Sequence, residues 1–446
     1  MTHTDYFKDK KITVMGLGLL GRGVGDVEFL ALHGAELIVT DLKSEEELRT
    51  SLERLKNYNT ITYVLGEHRL EDFRDRDFIL KAAGVPLDNI YIEEAEKNNI
   101  AVEMSTALFA DLSQATIIGV TGTRGKSTVT HMVFEALQKH NENTQTKRRV
   151  FLGGNVRGLS TLALLDEIHE EDIAVLELDS WQLQGFRTRN ISPHISVFTT
   201  FMPDHMNYYG NDLRAYFYDK SAIYASQKKN DVLIVSENVE RFMREFENAA
   251  PHSNVHIVRK PLAVEHKLMM PGEHNRLNAN LALETLKVCG IDEEEALSLI
   301  AGFRGVPGRL EKVAEKEGRV FYNDTTATTP EAATVAIEAL ADKDIILIAG
   351  GSDKGLDFSP LIKAFSKVQR IILLPGAGTD RMVKESGESV LEKVTYAPTM
   401  SEAVSEAYSC SGQSDIILLS PGCASFGLFE NEFDRGDQFI AAIEKI

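Results

Sequence analysis

The sequence predicts an α/β protein of three domains, in which a Rossmann-like N-terminal domain precedes a central domain with a mainly parallel sheet and a Rossmann-like C-terminal domain. The chain of 446 residues is too long for one hydrophobic core. Short apolar runs alternate with helical patterns along its length, which is typical of parallel sheets covered on both faces. Two glycine-rich turns each join an apolar run to a helical pattern.

The apolar runs that predict strands form three groups of five. The first group comprises Ile12–Met15, Leu37–Thr40, Ile61–Val64, Phe78–Lys81 and Ile100–Met104. The second comprises Ile117–Val120, Val150–Leu152, Ala174–Leu178, Ile195–Phe198 and Val232–Val235. The third comprises Val320–Tyr322, Ile345–Ile348, Ile371–Leu374, Val394–Tyr396 and Ile416–Leu419. Polar residues near 111–114 and a Gly- and Pro-rich stretch near 305–308 separate the groups. The predicted domains are therefore 1–111, 112–307 and 308–446.

The composition predicts a cytoplasmic enzyme. A net charge of −19, from 67 acidic and 48 basic residues, excludes nonspecific nucleic-acid binding. The sequence has neither a long apolar run nor the apolar segment of a signal peptide, so we expect no membrane partner. Three cysteines without metal-ligand or disulfide spacing fit a reducing compartment. We expect the protein to be a monomer.

The most informative stretch, residues 115–128, leads from an apolar strand into the turn Gly125-Lys126-Ser127 and then into a helical run. Such a turn directs backbone N–H groups at an anion bound at the helix N-terminus. Lys126 can reach terminal phosphates and the Ser127 hydroxyl can bind Mg²⁺. Val120 stands where the standard P-loop has its first glycine. The central domain is therefore predicted to be a P-loop ATP-binding domain of a particular kind.

The second glycine turn spans Gly16–Gly21 and follows the first predicted strand, with Asp41 at the end of the next. This is the pattern of a diphosphate bound at a helix N-terminus, with an acid near a hydroxylated ring. NAD, FAD and a purely structural turn all fit the turn alone. A dehydrogenase does not need the second nucleotide loop, which favours a UDP-linked ligand.

Several further motifs carry a family resemblance along essentially the whole chain. They begin at Gly153, Val175, Thr199, Gly272, Pro307, Asn323, Gly350 and Leu419, in the family's order. With the loop at 121–127, they resemble the Mur ligases, most closely the MurD-type branch. The resemblance implies that the first domain holds a UDP-sugar, the central domain binds ATP, and the third binds an amino acid.

The resemblance implies a set of ATP and metal contacts. Those to ATP are Gly122, Thr123, Arg124, Gly125, Lys126, Ser127, Thr128, Asn275, Asn278, Arg309 and Asp324. Two Mg²⁺ ions would be held by Ser127, Glu177, His205 and a carbamylated Lys220. Carbamylation converts an ammonium into an anionic carbamate and requires a neutral amine, which burial favours.

The remaining implied contacts are to the two joined substrates. Those to the UDP-substrate are Gly18, Leu19, Leu20, Asp41, Gly84, Asn155, Ser180 and Gln182. Those to glutamate are Thr328, Lys354 and Ser425, and the implied catalytic set is Lys126, Glu177, His205, Lys220 and Lys354.

The implied reaction belongs to peptidoglycan precursor synthesis. ATP would phosphorylate the terminal carboxylate of UDP-N-acetylmuramoyl-L-alanine, and the amine of D-glutamate would attack the acyl phosphate. The protein would act through positioning and charge neutralisation. Closure of the third domain would bring Arg309 and Lys354 to the central site and exclude water.

Six positions depart from the family pattern. They are Arg124 for Asn, Arg157 for Gly, Asp179 for Ser, Trp181 for Phe, Gly308 for His and Thr326 for Lys. Thr326 removes a cation near the amino-acid or phosphate site, so it bears most on amino-acid selection. Asp179 is interpreted either as a metal or amine contact or as a helix cap.

Four alternatives accompany this prediction. Thr326 and Asp179 leave open a ligase that takes L-glutamate, and comparing the two enantiomers separates the two cases. A folylpolyglutamate-type ligase would lack the UDP-type domain and the signature at 419–426. An NAD-dependent oxidoreductase would use Gly16–Gly21, and a noncatalytic nucleotide sensor would keep the fold without ADP release.

Overall fold

The structure, a computed structural model, describes residues 3–18, 21–156, 158–246, 251–270 and 272–446. Predicted site residues Leu19 and Leu20, and the departure at Arg157, lie outside these ranges. The chain forms two compact units. The first comprises residues 1–266 and 274–301, and the second residues 267–273 and 302–446.

Five parallel strands form the first sheet, in the order β3-β2-β1-β4-β5. The strands are β1 (Lys11–Met15), β2 (Glu36–Asp41), β3 (Ile61–Leu65), β4 (Phe78–Lys81) and β5 (Ala101–Glu103). The helices are α1 (His3–Phe7), α2 (Arg22–Leu32), α3 (Arg49–Leu55), α4 (Ile90–Lys97) and α5 (Ser105–Leu112), with a 3-10 helix at Leu70–Phe73. The winding direction reverses between β1 and β4, and ligands of such sheets bind at the carboxyl ends of the strands at this point.

The second sheet also lies in the first unit and is wholly parallel, in the order β11-β10-β9-β6-β8-β7. Its strands are β6 (Thr116–Thr121), β7 (Val150–Gly154), β8 (Ile173–Glu177), β9 (Ile195–Phe198), β10 (Val232–Ser236) and β11 (Asn254–Val258). The helices are α6 (Lys126–Thr144), α7 (Ser180–Thr188), α8 (Leu213–Ala225), α9 (Glu237–Phe246), α10 (Glu273–Val288) and α11 (Glu293–Ala301), with a 3-10 helix at Leu162–Asp166. The central strand β6 leads into the phosphate loop.

The third sheet is mixed, in the order β12-β13-β17-β14-β15-β16, with only the β12–β13 pair antiparallel. Its strands are β12 (Glu311–Lys316), β13 (Arg319–Asn323), β14 (Ile345–Gly350), β15 (Arg370–Leu374), β16 (Val394–Tyr396) and β17 (Ile416–Leu419). The helices are α12 (Pro330–Ala339), α13 (Ser359–Ala364), α14 (Ala377–Glu385), α15 (Glu388–Leu391), α16 (Met400–Cys410) and α17 (Glu432–Glu444), with a 3-10 helix at Phe365–Lys367. Apolar side chains from both faces of β14, β15 and β17 fill two cores.

The three-domain α/β prediction is confirmed, and each predicted strand is present within about two residues of its expected bounds. Two further strands, β11 and β12, were not predicted. The exact domain ranges remain predictions. All three cysteines are unpaired. None of the helices in the described part of the chain combines the length and apolarity that a membrane crossing requires.

Candidate active site

The phosphate loop is closed by a glycine that no other residue could replace without strain. Gly125 is the N-cap of α6 and has φ +87°, a left-handed conformation that favours glycine. A Cβ at this position would collide with Oδ1 of Asn278. The Asn278 amide in turn donates to Oδ1 of Asn275 at 3.4 Å. The structure thus brings the two predicted asparagines of α10 to the phosphate loop.

Two lysines converge on one carbonyl oxygen of this loop. Nζ of Lys126 lies 2.9 Å from the Gly122 oxygen and 3.3 Å from the Thr123 oxygen. Nζ of Lys220 lies 3.0 Å from the same Gly122 oxygen and 3.4 Å from Oγ1 of Thr121. Burial, and next the positive charge of Lys126, hold the pKa of Lys220 well below its usual range. The site therefore favours the neutral amine of Lys220.

The residues after β9 fix the outer part of the loop. Thr123 N donates to the Thr200 carbonyl at 2.7 Å, and Arg124 N donates to the Thr200 hydroxyl at 3.0 Å. The Thr199 hydroxyl donates to the Arg124 carbonyl at 2.5 Å. The Arg124 guanidinium is exposed and lies 3.7 Å from Asp204. The extra charge at position 124 is thus placed on the loop surface beside a carboxylate.

Glu177 supplies a buried carboxylate at the end of β8. The Asn155 amide contacts it at 3.5 Å, while Asn155 N donates to the Glu177 carbonyl at 2.7 Å. Ser127 is buried in the first turn of α6. A carboxylate and a hydroxyl are the oxygen ligands that Mg²⁺ prefers, so both residues fit this ion. An ammonium on Lys220 cannot be a ligand, whereas a carbamate could.

His205 lies in a strained backbone conformation against an aromatic ring. Its φ is +54°, a left-handed value that is uncommon outside glycine. The imidazole lies 4.7 Å from the Trp181 ring, and Trp181 packs edge-on against Tyr208 at 5.6 Å. His205 N donates to Oδ1 of Asp204 at 2.9 Å. The indole at position 181 therefore orients the imidazole that sequence reasoning assigned to metal binding.

Asp179 is a helix cap, one of the two interpretations left open by the sequence. Its Oδ1 accepts from Gln182 N at 2.7 Å, and the Gln182 side chain accepts from Asp179 N at 3.2 Å. This reciprocal pair is a capping box at the start of α7. The Gln182 amide also donates to the Thr106 hydroxyl at 3.1 Å.

A cavity of about 200 Å³ lies at the winding reversal of the first sheet, where the carboxyl ends of β1 and β4 meet residues of the central domain. Three residues predicted to bind the UDP-substrate line it, namely Gly18, Gly84 and Gln182. Three others stand outside its described lining, namely Asp41, Asn155 and Ser180. The cavity is therefore the candidate site for the UDP-linked ligand.

The carboxylate of Asp41 binds two backbone N–H groups next to this cavity. Its Oδ2 accepts from Gly18 N at 3.0 Å, and its Oδ1 accepts from Lys43 N at 2.9 Å. The buried carboxylate thus ties the glycine turn to the loop after β2. Its contact to the UDP-linked ligand remains a prediction.

Sequence reasoning missed Arg22, the first residue of α2. Its guanidinium lines the cavity and donates to Oδ1 of Asn155 at 2.8 Å. About one helical turn after Arg22, Asp26 accepts from the Ser160 hydroxyl at 2.6 Å. Burial raises the pKa of Asp26 to about 6. A cation directly after a glycine turn was the signal that could have identified Arg22.

Lys81, at the end of β4, was also missed. Its buried side chain lines the cavity, and Nζ donates to the carbonyls of Ala82, Ala83 and Val85 at 3.3, 3.3 and 2.6 Å. Burial lowers the pKa of Lys81 to about 8. Because its donors are directed at three carbonyls of the turn that contains Gly84, Lys81 sets the shape of the cavity wall.

In the second unit, two residues predicted to bind glutamate touch each other. Nζ of Lys354 donates to the Thr328 hydroxyl at 2.9 Å, and Lys354 is exposed. Ser425, the third predicted residue, is buried beyond β17. The pair Lys354–Thr328 thus presents a cation and a hydroxyl on one surface.

Asp324 is buried directly after β13, and its carboxylate joins the segment before β12 to the end of β17. Its Oδ2 accepts from the Ser420 hydroxyl at 2.7 Å, and its Oδ1 accepts from Leu310 N at 3.0 Å. Burial raises the pKa of Asp324 to about 7, against the hydrogen bonds from Ser420 and Leu310 and the charge of Arg309, which lower it. Arg309 itself is exposed.

Two departures from the family pattern are in direct contact. Thr326 N and the Thr326 hydroxyl both donate to the Gly308 carbonyl, at 3.0 and 2.9 Å. Gly308 has φ +71°, and a Cβ there would lie 3.0 Å from Cγ2 of Thr325. The loop therefore accommodates Gly308 and Thr326 together.

Comparison with known proteins gives one family for the whole chain. Residues 10–103 match the MurD-like N-terminal domain of Mur ligases, residues 120–260 the Mur ligase middle domain, and residues 308–423 the glutamate ligase domain of Mur ligases. The UDP-N-acetylmuramoylalanine–D-glutamate ligase of Borreliella afzelii is 34% identical over 462 residues, covering 99% of each chain. The chain belongs to the Mur ligase family. The predicted MurD-type resemblance is confirmed.

Other relatives of this Mur ligase agree. The enzyme of the same name from Roseiflexus sp. is 33% identical and covers 98% of each chain. Among solved structures, the UDP-N-acetylmuramate–alanine ligase MurC of Thermotoga maritima aligns with a TM-score of 0.60 at 19% identity, covering 98% of this chain and 99% of its own. MurF of the same organism, solved with ADP, aligns with a TM-score of 0.53 at 15% identity, covering 100% and 96%. These two structures confirm the fold, and the family makes the chain an ATP-dependent ligase that forms C–N bonds.

Proposed function

We propose that this Mur ligase joins D-glutamate to UDP-N-acetylmuramoyl-L-alanine with ATP, in peptidoglycan precursor synthesis. The observation that carries the proposal is the arrangement of the first unit. A phosphate loop with two lysines on one carbonyl and a cavity at the winding reversal of the neighbouring sheet lie in one compact body. The curated relatives of similar length that match the whole chain carry the name of this reaction.

The reaction proceeds by carboxylate activation. The terminal carboxylate oxygen of the muramoyl-alanine substrate attacks the γ-phosphorus of ATP, and the bond to the β,γ-bridging oxygen breaks to release ADP. The glutamate amine then attacks the acyl-phosphate carbonyl carbon, and phosphate leaves with the C–O electron pair while the amine loses a proton. Lys126 neutralises phosphate charge at the loop.

Ser127, Glu177, His205 and a carbamylated Lys220 would hold the two Mg²⁺ ions, which supply charge neutralisation on phosphate oxygens. The burial of Lys220 supports the modification because a neutral amine can add CO₂ and release one proton. The buried Glu177 carboxylate supports the metal assignment. A ¹³C-bicarbonate NMR experiment should give a carbamate signal that Lys220→Met abolishes.

The glutamate side of the reaction is assigned to the second unit. Lys354 would pair with one glutamate carboxylate, with the Thr328 hydroxyl beside it as their 2.9 Å contact places it. Ser425 would hydrogen-bond the other carboxylate. Thr326 brings no cation to this surface, so the amino-acid preference rests on these three residues.

Phosphate release from Mg-ATP and UDP-N-acetylmuramoyl-L-alanine, measured with D-glutamate and L-glutamate separately, tests the function. Release with D-glutamate alone supports the proposal. Release with L-glutamate alone would keep the ligase chemistry and reassign the amino-acid pocket. Release with neither would contradict the proposed substrates, and ADP release with a folate polyglutamate acceptor would then identify the folylpolyglutamate-type alternative.

The predicted ranges 1–111, 112–307 and 308–446 serve here as the UDP-sugar, ATP and amino-acid domains, and the three matched family ranges fall inside them. A monomer in the cytoplasm, as the sequence predicts, is part of the same proposal. The net charge of −19 supports the absence of a nucleic-acid partner. Light scattering on the purified chain tests the oligomeric state.

A further inference from the structure

Outside the proposed ligase site, three side chains with metal-binding atoms converge between the first sheet's helices and the central domain. Nε2 of His3 in α1 lies 3.0 Å from Oδ1 of Asp166, and Nε2 of His33 lies 2.9 Å from the same oxygen. The three ligand atoms all lie within 4.8 Å of one another. His33 follows α2, and Asp166 ends the 3-10 helix Leu162–Asp166.

The hydrogen bond behind His33 fixes the chemistry of its other nitrogen. Nδ1 of His33 lies 2.8 Å from the Phe29 carbonyl, which can only accept, so Nδ1 carries the proton. The neutral ring then directs the lone pair of Nε2 at the Asp166 carboxylate. Two acceptors at 2.9 Å require a proton or a metal ion between them. Metal-bound histidines commonly donate their second nitrogen to a backbone carbonyl in this way.

A single divalent ion would account for the convergence of both histidines on one carboxylate oxygen. Both Nε2 atoms approach one carboxylate oxygen, and the ring centres of His3 and His33 lie 5.4 Å apart. Without a metal ion, His33 or Asp166 must carry an additional proton, whereas His3 can donate from Nε2 as a neutral ring. One divalent ion could bond both nitrogens and the Asp166 carboxylate together, using lone pairs that already face a common point.

We propose that His3, His33 and Asp166 form a binding site for a divalent transition metal, with Zn²⁺ as the probe of choice and water completing the coordination. Two imidazoles and one carboxylate suit Zn²⁺, Co²⁺ or Ni²⁺, whereas Mg²⁺ prefers oxygen ligands. The site is separate from the proposed ligase chemistry. It cross-links α1 and the end of α2 to the central domain and so stabilises the first unit.

The test uses the full, tag-free chain after chelator treatment. Competition between the protein and a chromophoric chelator should show one Zn²⁺ bound per chain, unaffected by excess Mg²⁺. Zn²⁺ in about hundredfold excess over its Kd should raise Tm by about 2–5 °C. His3→Gln and Asp166→Asn should each weaken Zn²⁺ binding about tenfold or more. The matched control is His169→Gln, an exposed histidine near Asp166, and it should bind Zn²⁺ like the unaltered chain.

Two results would overturn the proposal. The first is equal Zn²⁺ affinity in the unaltered chain, His3→Gln and Asp166→Asn, which would place the bound metal elsewhere. The second is the absence of 1:1 Zn²⁺ binding to the unaltered chain. Circular dichroism and phosphate release verify that each variant is folded. If the unaltered chain binds Zn²⁺ but fails the ligase assay, that result counts against the proposed function alone.

Discussion

The side-chain nitrogens of Lys126 and Lys220 lie 2.9 and 3.0 Å from the same oxygen, the carbonyl of Gly122. One lysine starts the helix after the phosphate loop, and the other comes from α8, about ninety residues later. Two positive charges this close in a buried site repel, and burial penalises the charge of Lys220 further. We therefore expect the two lysines to differ in charge, with Lys126 as the cation and Lys220 as the neutral amine.

Replacing Lys220 by Met should separate activity from stability. Methionine has a similar length and suits a fully buried position, so the free energy of unfolding should stay within about 1.5 kcal/mol of wild type. Phosphate release should fall by about 10³-fold, because the group that would complete the metal site is lost. Lys139→Met, at an exposed position of α6, is the matched control and should change neither quantity. Near-normal turnover in Lys220→Met would remove this lysine from the site.

Replacing Arg22 by Met should weaken binding of the UDP-substrate. The charge-assisted bond to Asn155 at 2.8 Å joins the first sheet's glycine turn to the loop after β7. We expect KM for UDP-N-acetylmuramoyl-L-alanine to rise about tenfold with kcat within about twofold. Arg54→Met removes an arginine that pairs with Glu28 on the surface, and it should leave KM unchanged. A KM for the UDP-substrate that stays the same in Arg22→Met would show that the contact is only structural.

The ring at position 181 should control how well His205 functions. Trp181→Phe keeps an aromatic face under the imidazole, so phosphate release should stay within about threefold of wild type. Trp181→Ala removes the ring that lies 4.7 Å from His205 and frees a strained segment, so release at limiting Mg²⁺ should fall about tenfold. The measurement is the Mg²⁺ dependence of initial rates. Indistinguishable curves for Phe and Ala would argue against an orienting role.

Asp324 should make the second unit less stable as pH rises. Burial raises its pKa from the ordinary 3.8 to about 7, so the folded state binds the proton more tightly than the unfolded state does. The resulting stability is present below about pH 4 and is lost as pH rises through about 7. Asp324→Asn cannot ionise, so its Tm relative to wild type should rise by several degrees between those pH values. Calorimetry across this range checks the effect, and a constant difference would contradict it.

The strands could be predicted where they are buried on both faces. Continuous apolar runs such as Ile345–Ile348 and Ile416–Leu419 leave little choice of secondary structure. The two missed strands lie at sheet edges. β11 is largely exposed over its first half, and β12 reads Glu-Lys-Val-Ala-Glu-Lys and pairs on one side only. Polar edge strands carry no apolar run, so only their pairing partner reveals them.

Parts of the candidate site could likewise be predicted, because glycine turns and strand ends have local signatures. The phosphate loop and the strand-end Glu177 are of this kind. Arg22 and Lys81 are not, since their importance depends on the partner that the fold brings to each. The bonds from Gly18 N and Lys43 N to Asp41 could not be predicted either, because they depend on the path of two loops.

In the capping box of α7, the side chain of Gln182 hydrogen-bonds two different residues. Gln182 closes the cap with Asp179 through its oxygen and reaches Thr106 through its nitrogen, so both ends of the amide are committed. A substitution at any one of these three positions therefore removes a hydrogen-bond partner of at least one of the others. Through this single amide, the start of α7 and the side of α5 that carries Thr106 are held in one fixed alignment.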